Sequence, residues 1–288
     1  MRKPPEGITL RTVSTIKETP ACRHDLQRMM DLFCDYDSRR LRLYQSRGDS
    51  DRIVIQNFGR SVALQFSEVN YFNRIYHCDE KILSSLPVIG AMYQDGPFSV
   101  ELIAAAGFDF EDHAAVLSAS GYIPGTRYAR MVKKLGSCEF DPPVSGIEIR
   151  PPLPSEHERV LDIYLRGFGA PVTNDAAAKA NMRLLFTDPA IDFWVALIDQ
   201  QPVAIGMLFE QQGLAYFCGG ATLPEFRNHG CHQALIERRF QASLERGCTA
   251  VVSWAIAGGA SHNNMVARGF ETVQVDQAWQ LGSVANGG

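Results

Sequence analysis

The sequence has few cysteines, and none of them has the spacing of a metal or disulfide site. Seven cysteines are spread over 288 residues, and no two of them form a Cys-x-x-Cys motif. Small secreted domains carry dense, even sets of cysteines, whereas an odd, scattered set is typical of free thiols in a reducing compartment. This argues against a disulfide framework, and we expect a cytoplasmic protein.

Long apolar runs and a large excess of one charge are also missing. No stretch of about 18 apolar residues occurs, which argues against a membrane-spanning helix. Residues 1–6 are charged and followed by no apolar stretch, so we expect no secretory signal. The formal net charge is −4, from 28 Lys+Arg and 32 Asp+Glu. That balance disfavours bulk binding to nucleic-acid phosphates, which needs an excess of basic residues, and leaves a local basic patch open.

The length and one short segment divide the chain into two halves. A chain of 288 residues is about twice the length of a typical domain. Residues 138–146 are polar and rich in proline and glycine, which is typical of a linker. We therefore predict two domains, residues 1–140 and residues 147–288.

Hydrophobic patterns in the second half predict alternating strands and helices. A strand at 147–150 precedes a helix capped by Ser155, and a helix at 231–246 is stopped by Gly247. A short helix from Ser261 to Gly269 follows a buried strand. The other strands are predicted at 193–198, 202–210, 214–222 and 249–256, with a last hairpin of 270–275 and 278–281.

The first half is less regular but loosely echoes the second. In each half a predicted helix ends in glycine followed by an aromatic residue, Gly121-Tyr122 and Gly269-Phe270. This repetition indicates an internal duplication. The patterns predict helices at 24–36 and 111–120, and strands at 52–56, 61–66, 71–76, 98–102 and 126–133.

The segment with the clearest chemistry is the turn that opens the 231–246 helix. The first turn of a helix presents unpaired N–H groups and the positive end of the helix dipole, which suit a phosphate or pyrophosphate. Gly230 allows the backbone to approach such an anion closely, and Arg227 adds a fixed positive charge. We therefore predict an anion site at residues 227–232.

The same segment resembles the acyl-CoA pyrophosphate loop of the Gcn5-related N-acetyltransferase (GNAT) superfamily. The family pattern is Arg/Gln-x-x-Gly-x-Gly/Ala between a strand and a helix, and this sequence places Arg227 and Gly230 accordingly. His232 stands where the family has a small residue, which is a departure. Residues 261–270 are similar to the family's later helix and Gly-Phe turn, and the resemblance extends over 147–281.

The resemblance implies the fold and the co-substrate. It implies an α/β protein of two tandem GNAT-like domains, each a mixed twisted sheet flanked by helices. The first half lacks the Arg-x-x-Gly-x-Gly/Ala loop, so it resembles a degenerate copy that covers the acceptor site. The implied co-substrate is acetyl-CoA or another acyl-CoA. The implied donor-binding residues are Ala221, Thr222, Arg227, Asn228, His229, Gly230, Cys231, His232, Ser261 and Asn264.

The family mechanism is direct attack of an amine on a thioester. The family's usual acid is a tyrosine four residues before the glycine of Gly-Phe, and here that position is Met265. A thiolate can leave unprotonated, so transfer is still expected. Tyr216, Cys218 and Glu210 are candidate bases, and the sequence does not choose among them. Asn264 could hydrogen-bond the sulfur.

Two further sets of residues concern acceptor binding and metal binding. Asn73 and Arg74 are candidate acceptor-binding residues, because arginine matches carboxylates. His229, Cys231 and His232 lie close together, but no second cluster completes the four ligands of a structural zinc site, so we expect no metal.

The function expected from the sequence is transfer of an acyl group, acetyl first, from acyl-CoA to the amine of a small molecule. A carrier protein or aminoacyl-tRNA is an alternative donor. A non-catalytic acyl-CoA sensor and a thioester decarboxylase are alternative functions. We expect the acceptor pocket where the two halves meet. We expect no membrane partner, and the sequence does not determine the oligomeric state.

Overall fold

Eleven strands form one mixed sheet with helices on both faces. The computed structural model describes residues 20–48, 52–94, 96–136, 145–169 and 175–282. The spatial order is β1-β2-β3-β4-β11-β5-β10-β9-β8-β7-β6. The strands are β1 Ile53–Phe58, β2 Ser61–Phe66, β3 Arg74–Cys78, β4 Glu101–Ala104, β5 Tyr122–Lys134, β6 Glu148–Arg150, β7 Ile191–Ile198, β8 Gln201–Gln211, β9 Leu214–Thr222, β10 Ala250–Ile256 and β11 Glu271–Leu281. The predicted fold class is confirmed.

The helices belong to three core clusters. One cluster joins α1, α4 and α5 to the sheet, a second contains α6 and α7, and a third contains α2 and α3. Tyr216 and Cys218 of β9 belong to the α1 cluster, whereas Ala215 and Phe217 belong to the α6 cluster. Because strand side chains alternate, α1 and α6 cover opposite faces of β9. The helices are α1 Pro20–Gln45, α2 Leu86–Tyr93, α3 Ala114–Ala119, α4 His157–Phe168, α5 Asp175–Leu185, α6 Cys231–Glu245 and α7 Ala260–Val266.

The two halves exchange their last strands. β5 comes from the first half but pairs with β10 of the second, and β11 comes from the second half but pairs with β4 of the first. β5 and β11 also pair with each other at the centre of the sheet. In both halves the neighbouring pair is parallel, β3 with β4 and β9 with β10. The strands on the two sides of the central β11–β5 pair are therefore arranged in a roughly twofold pattern, as an internal duplication would produce. The predicted linker 138–146 lies mostly outside the described residues.

The first helix is much longer than predicted. The periodicity predicts a helix at 24–36, but α1 runs to Gln45. The second part carries buried polar residues, Asp37, Ser38 and Arg40, which interrupt the apolar pattern. Arg40 is held by Asn181 of α5, with Nη2 to Oδ1 at 3.0 Å, so its burial is compensated by a partner far along the chain.

The predicted last hairpin is wrong, because β11 is one strand. Asp276 and Gln277 separate the two predicted strands, but they lie directly opposite Tyr128 and Arg127 of β5. The Asp276 carboxylate accepts a hydrogen bond from the buried Arg130 side chain at 2.5 Å. The register between β11 and β5 shifts on either side of Asp276, between Thr272 and Gln274 and between Gln277 and Trp279. Such shifts let one continuous strand include this segment.

Other boundaries differ more modestly. The predicted strand 71–76 is a 3-10 turn at Asn70–Phe72 followed by β3, and the predicted helix 111–120 begins as a 3-10 turn at Phe110–His113. Ser155 is not the helix cap: the Glu156 carboxylate accepts a hydrogen bond from the Leu153 N–H at 2.8 Å instead. The sequence patterns missed α2 and α5. Within the described residues, no helix has the length and apolar character needed to cross a membrane.

Candidate active site

The central feature of the site is the separation of β9 from β10. The two parallel strands pair at only three positions, the last of which is Tyr216 with Val252. β9 continues to Thr222 and β10 to Ile256 without further pairing to each other. Beyond Tyr216, backbone groups of β9 therefore line a wedge-shaped opening in the sheet, where an extended ligand can take up strand-like hydrogen bonds.

A bulge in β9 widens the opening. The register with β8 shifts between the pairs Met207–Cys218 and Ile205–Ala221, so Gly219 and Gly220 stand out of register. Gly219 has a φ of +56°, and a Cβ placed there would lie 2.3 Å from Cε of Met207. Only glycine satisfies both conditions, because it has no Cβ and tolerates a left-handed backbone.

A helix N-terminus lies next along the chain. After a 3-10 turn at Pro224–Phe226, Asn228 and Gly230 have φ values of +65° and +86° and turn the chain into α6. Among the residues that the structure describes, no N-cap side chain bonds the first N–H groups of this 15-residue helix. The predicted anion site therefore has the backbone geometry that such sites require, uncapped N–H groups at the positive end of a helix.

Arg227 fixes the loop to a neighbouring helix. Its Nη2 donates to the carbonyl oxygen of Gly167 at 3.0 Å, near the end of α4. Gly167 itself packs so closely on β9 that a Cβ there would lie 2.7 Å from Cβ of Ala221. The Arg227 side chain is exposed, so it can also reach an anion at the helix N-terminus.

His232 connects the loop to the opening. A Cβ added to Gly220 would lie 3.6 Å from Nε2 of His232, and Asn264 of α7 lies within 3.5 Å of its Nδ1. Burial lowers the pKa of His232 to about 4, and the Arg239 guanidinium adds to the effect. The ring is therefore neutral at pH 7. Arg239 is fully buried beside it, and its Nη2 has no hydrogen-bond partner among the described residues.

The remaining predicted donor residues surround the same region. Ala221 is buried, and Oγ1 of Thr222 is buried with no hydrogen-bond partner in the described part of the chain. His229 is exposed, with its Nδ1 2.9 Å from the carbonyl oxygen of Arg227, and Cys231 is buried in the first turn of α6. Ser261 lies in the first turn of α7, the helix that also carries Asn264.

Two of the candidate bases are buried on the α1 side of β9. Burial raises the pKa of the Cys218 thiol to about 12 and raises that of Tyr216 well above its ordinary value. The Tyr216 hydroxyl accepts a hydrogen bond from Nε1 of Trp254 at 2.7 Å. Both groups are therefore protonated at neutral pH, which disfavours both of them as the base. Glu210 lies near the end of β8, opposite Ala215 at the start of β9, and its carboxylate accepts the Gly213 N–H at 3.1 Å.

Asn73 and Arg74 are adjacent in the chain, but their side chains lie in different surroundings. The Asn73 side chain is buried and donates to the carbonyl oxygens of Phe66, Val69 and Asn70, so it holds a turn and has no group free for an acceptor. Arg74 instead points into an aromatic cluster at the junction of the two halves. Its guanidinium carbon lies 4.4 Å from the ring centre of Tyr71 and 5.0 Å from that of Trp254.

The sequence patterns named two residues of this cluster, Arg74 and Tyr216, and missed the others. The cluster lies between α1 and the sheet, next to the point where β9 and β10 separate. Asp37 of α1 could have been found as well, because a carboxylate in an apolar helical pattern needs a partner, and its side chain is buried. We call this set of residues the acceptor-side cluster and define it as Asp37, Tyr71, Arg74, Tyr76, Tyr128, Tyr216 and Trp254.

Within the described ranges, no group of three or more His, Cys, Asp or Glu side chains has the geometry to hold an ion.

Comparison with known proteins finds a family match for part of the chain and a shared fold for most of it. Residues 157–270 match the sequence model of the acetyltransferase (GNAT) family. No curated protein sequence matches the chain. Among solved structures, a GCN5-related N-acetyltransferase from Kribbella flavida is similar over 85% of this chain and 93% of its own, with a TM-score of 0.58 and 18% identity.

Two further structures share the fold. A GCN5-related N-acetyltransferase from Sphaerobacter thermophilus covers 78% of this chain and 80% of its own, with a TM-score of 0.55 and 16% identity. A tandem GNAT protein from the clavulanic acid biosynthesis pathway covers 80% of this chain and 83% of its own, with a TM-score of 0.55 and 9% identity. The match to the GNAT family therefore covers a segment of the second half, and the similarity to these structures shows that the chain shares their fold.

Proposed function

We propose that the chain is an acyltransferase that moves an acyl group, acetyl first, from acyl-CoA to the amine of a small molecule. The observation that supports this most directly is the opening of β9 from β10 beyond Tyr216 and Val252, with the uncapped N-terminus of α6 beside it. The helix N-terminus and Arg227 suit the pyrophosphate. The open edge of β9 at Ala221 and Thr222 suits the amide groups of the pantetheine arm.

In this proposal the thioester reaches the opening from the α6 side and the amine from the α1 side. The opening lies between two strands of one sheet, whose opposite faces are covered by α1 and α6. Positioning two bound reactants against each other can supply about 7–11 kcal/mol of a reaction barrier in good cases. Such positioning needs no metal and no covalent enzyme intermediate.

The departing thiolate has no tyrosine to protonate it from α7. Met265 is buried at that position. Ser253 brings a hydroxyl to the mouth of the opening, where it donates to the Phe217 carbonyl at 2.9 Å. The thiolate can leave without a proton, with hydrogen bonds from Ser253 or Asn264 as support. The missing tyrosine is also the feature that favours the second candidate function, a sensor that binds acyl-CoA without turnover.

The first experiment is calorimetric titration of the full chain with CoA, acetyl-CoA and longer acyl-CoAs. Release of free thiol is then followed with a panel of amines. Micromolar binding with amine-dependent thiol release supports the transferase. Binding without thiol release supports the sensor. No binding by the folded protein contradicts the CoA donor and favours a carrier-protein or tRNA-linked donor, while carbon dioxide release from malonyl-CoA would indicate a decarboxylase.

A further inference from the structure

Asp37 is a buried carboxylate with one oxygen unused. It lies in the middle of α1 with 1% of its surface exposed. Its Oδ2 accepts a hydrogen bond from the Tyr76 hydroxyl at 2.6 Å, whereas its Oδ1 is buried and has no hydrogen-bond partner in the described part of the chain. Burial of a carboxylate oxygen without a hydrogen-bond donor is energetically unfavourable, so we expect a donor at Oδ1.

Arg74 is a largely buried guanidinium that also has one group unused. Its Nε donates to Glu101 Oε2 at 2.9 Å, and its Nη2 lies 3.4 Å from the Tyr128 hydroxyl. Nη1 is buried and has no hydrogen-bond partner among the residues that the structure describes. Glu101 therefore fixes the orientation of the guanidinium and leaves one N–H edge for an acceptor group.

The two groups face the same aromatic cluster. The guanidinium groups of Arg40 and Arg74 and the hydroxyl of Tyr71 all lie close enough to Asp37 to favour the charged carboxylate, so Tyr71 connects Asp37 with Arg74. The Tyr71 ring also stacks under the Arg74 guanidinium. Tyr71, Arg74, Tyr128 and Trp254 are only partly buried, so solvent reaches the cluster from one side.

The cluster touches the place where the thioester would arrive. Trp254 stacks on Arg74 and donates to Tyr216, the last β9 residue that pairs with β10. A small molecule that reaches Asp37 and Arg74 therefore lies beside the opening of the sheet. Aromatic rings around a carboxylate favour an ammonium group, and a free guanidinium edge favours a carboxylate.

We infer that the acceptor is an amino acid, whose ammonium group binds Oδ1 of Asp37 and whose carboxylate binds Nη1 of Arg74. This rests on the proposed acyl transfer, and it names the substrate class of that reaction. A molecule with both charges satisfies both unused groups at once, whereas a simple amine leaves the guanidinium edge without a partner.

The chemistry balances with Asp37 as the proton acceptor. Asp37 takes one proton from the ammonium, and the neutral nitrogen attacks the thioester carbonyl, so a C–N bond forms and the C–S bond breaks. The second proton of the nitrogen ends on the thiolate to give the thiol of CoA, and Asp37 releases its proton to solvent. Burial raises the pKa of Asp37 above its ordinary value, which makes the carboxylate a better base.

The test begins with binding in the absence of any donor. The twenty protein amino acids and a series of ω-amino acids are titrated into the full chain by calorimetry, together with the decarboxylated amine of each one that binds. We expect at least one amino acid to bind about tenfold or more tightly than its matching amine. Absence of binding by all of them, or equal binding of acid and amine, overturns the inference.

Acyl transfer then provides the second arm. With acetyl-CoA, Arg74→Gln should lower kcat/KM about tenfold for the amino acid and little for the matching amine, and Arg74→Lys should recover part of the loss. Asp37→Asn should lower kcat/KM for both. Asp188→Asn is the matched control, since Asp188 is another buried aspartate whose partner is Arg39. Equal losses for acid and amine in Arg74→Gln contradict the inference.

The two arms separate this inference from the proposed function. A protein that acetylates amines without preferring a carboxylate keeps the transferase and loses the amino-acid acceptor. A protein that binds an amino acid but no CoA keeps the acceptor site and loses the CoA donor. Because the wild-type binding arm needs no substitution, it still decides the question when a variant fails to fold.

Discussion

The indole of Trp254 donates a 2.7 Å hydrogen bond to the hydroxyl of Tyr216, and this bond spans β9 and β10 just where they separate. Phe33 of α1 stacks on Trp254 at 5.6 Å and contacts Tyr216 at 4.7 Å, so the first half of the chain supports this pair. Tyr216 and Trp254 therefore connect the opening between β9 and β10 with the rest of the acceptor-side cluster. Their role is one of positioning.

We expect Tyr216→Phe to keep most of the activity. Because the pKa of Tyr216 is raised far above neutrality, its hydroxyl stays protonated and serves as a hydrogen-bond acceptor. Losing one hydrogen bond should cost about 1 kcal/mol of stability and less than about tenfold in kcat. Loss of a general base would cost about 10²- to 10⁴-fold. Urea unfolding and kcat measured from pH 6 to 9 distinguish the two, and a loss of about 10²-fold with a changed pH profile would identify Tyr216 as the base.

The donor loop could be predicted from the sequence because its signals are local. The predicted strand 214–222 coincides with β9, and the predicted helix start at Cys231 coincides with α6, because Gly230 and the neighbouring turn residues carry their own backbone preferences. For the acceptor-side cluster the sequence named only Arg74 and Tyr216. Asp37, Arg74 and Trp254 come from three distant elements, and the exchange of β5 and β11 and the packing of α1 on β9 bring them together.

We expect Arg227→Ala to weaken CoA binding about tenfold, which corresponds to about 1.4 kcal/mol. The reason is the loss of a charge-assisted hydrogen bond beside the α6 N-terminus. Calorimetry with CoA measures the effect. Arg238→Ala is the control, since Arg238 lies in the second turn of the same helix and pairs with Glu245 at 3.0 Å. Equal Kd values for both variants would move the phosphate site away from Arg227.

The neutral His232 should make folding stability depend on pH. Its pKa is about 4 in the folded protein and about 6.5 in an unfolded chain. Between these values the unfolded chain binds a proton that the folded protein does not, so the free energy of unfolding falls as the pH drops from 6.5 towards 4. The stabilising contribution is fully present above about pH 6.5.

Replacing this histidine isolates its part of the pH dependence. His232→Gln should show a smaller loss of stability between pH 7 and pH 5 than the wild type, as measured by urea unfolding at both pH values. His262 and His77, whose pKa values are also lowered, contribute equally to both proteins and cancel. His24→Gln, at an exposed position, is the control for the replacement of a histidine by glutamine. An unchanged slope in His232→Gln would mean that the ring is protonated in the folded state.

The strand exchange predicts that the first half does not fold alone. In the sheet β5 has β11 on one side and β10 on the other, and both belong to the second half. A polypeptide of residues 1–140 would leave the edges of β4 and β5 unpaired, which favours aggregation. We expect no cooperative thermal unfolding of the isolated segment by circular dichroism, and recovery when residues 141–288 are co-expressed. A monomeric segment that unfolds cooperatively would instead support two independent domains.

The bulge in β9 should tolerate no side chain at Gly219. Alanine there combines a φ of +56° with a Cβ 2.3 Å from Met207, so either Met207 moves or the bulge closes. Gly213→Ala is the matched control, because Gly213 has a φ of +73° but nothing within 4 Å of the added Cβ. Backbone strain of about 1–3 kcal/mol is common to both, and overpacking adds about 1–3 kcal/mol only in Gly219→Ala. Urea unfolding should show this difference, and CoA binding should weaken only in Gly219→Ala, because only that variant alters the strand edge that faces the opening. Equal destabilisation of the two variants, with unchanged CoA binding in both, would mean that the bulge does not shape the donor site.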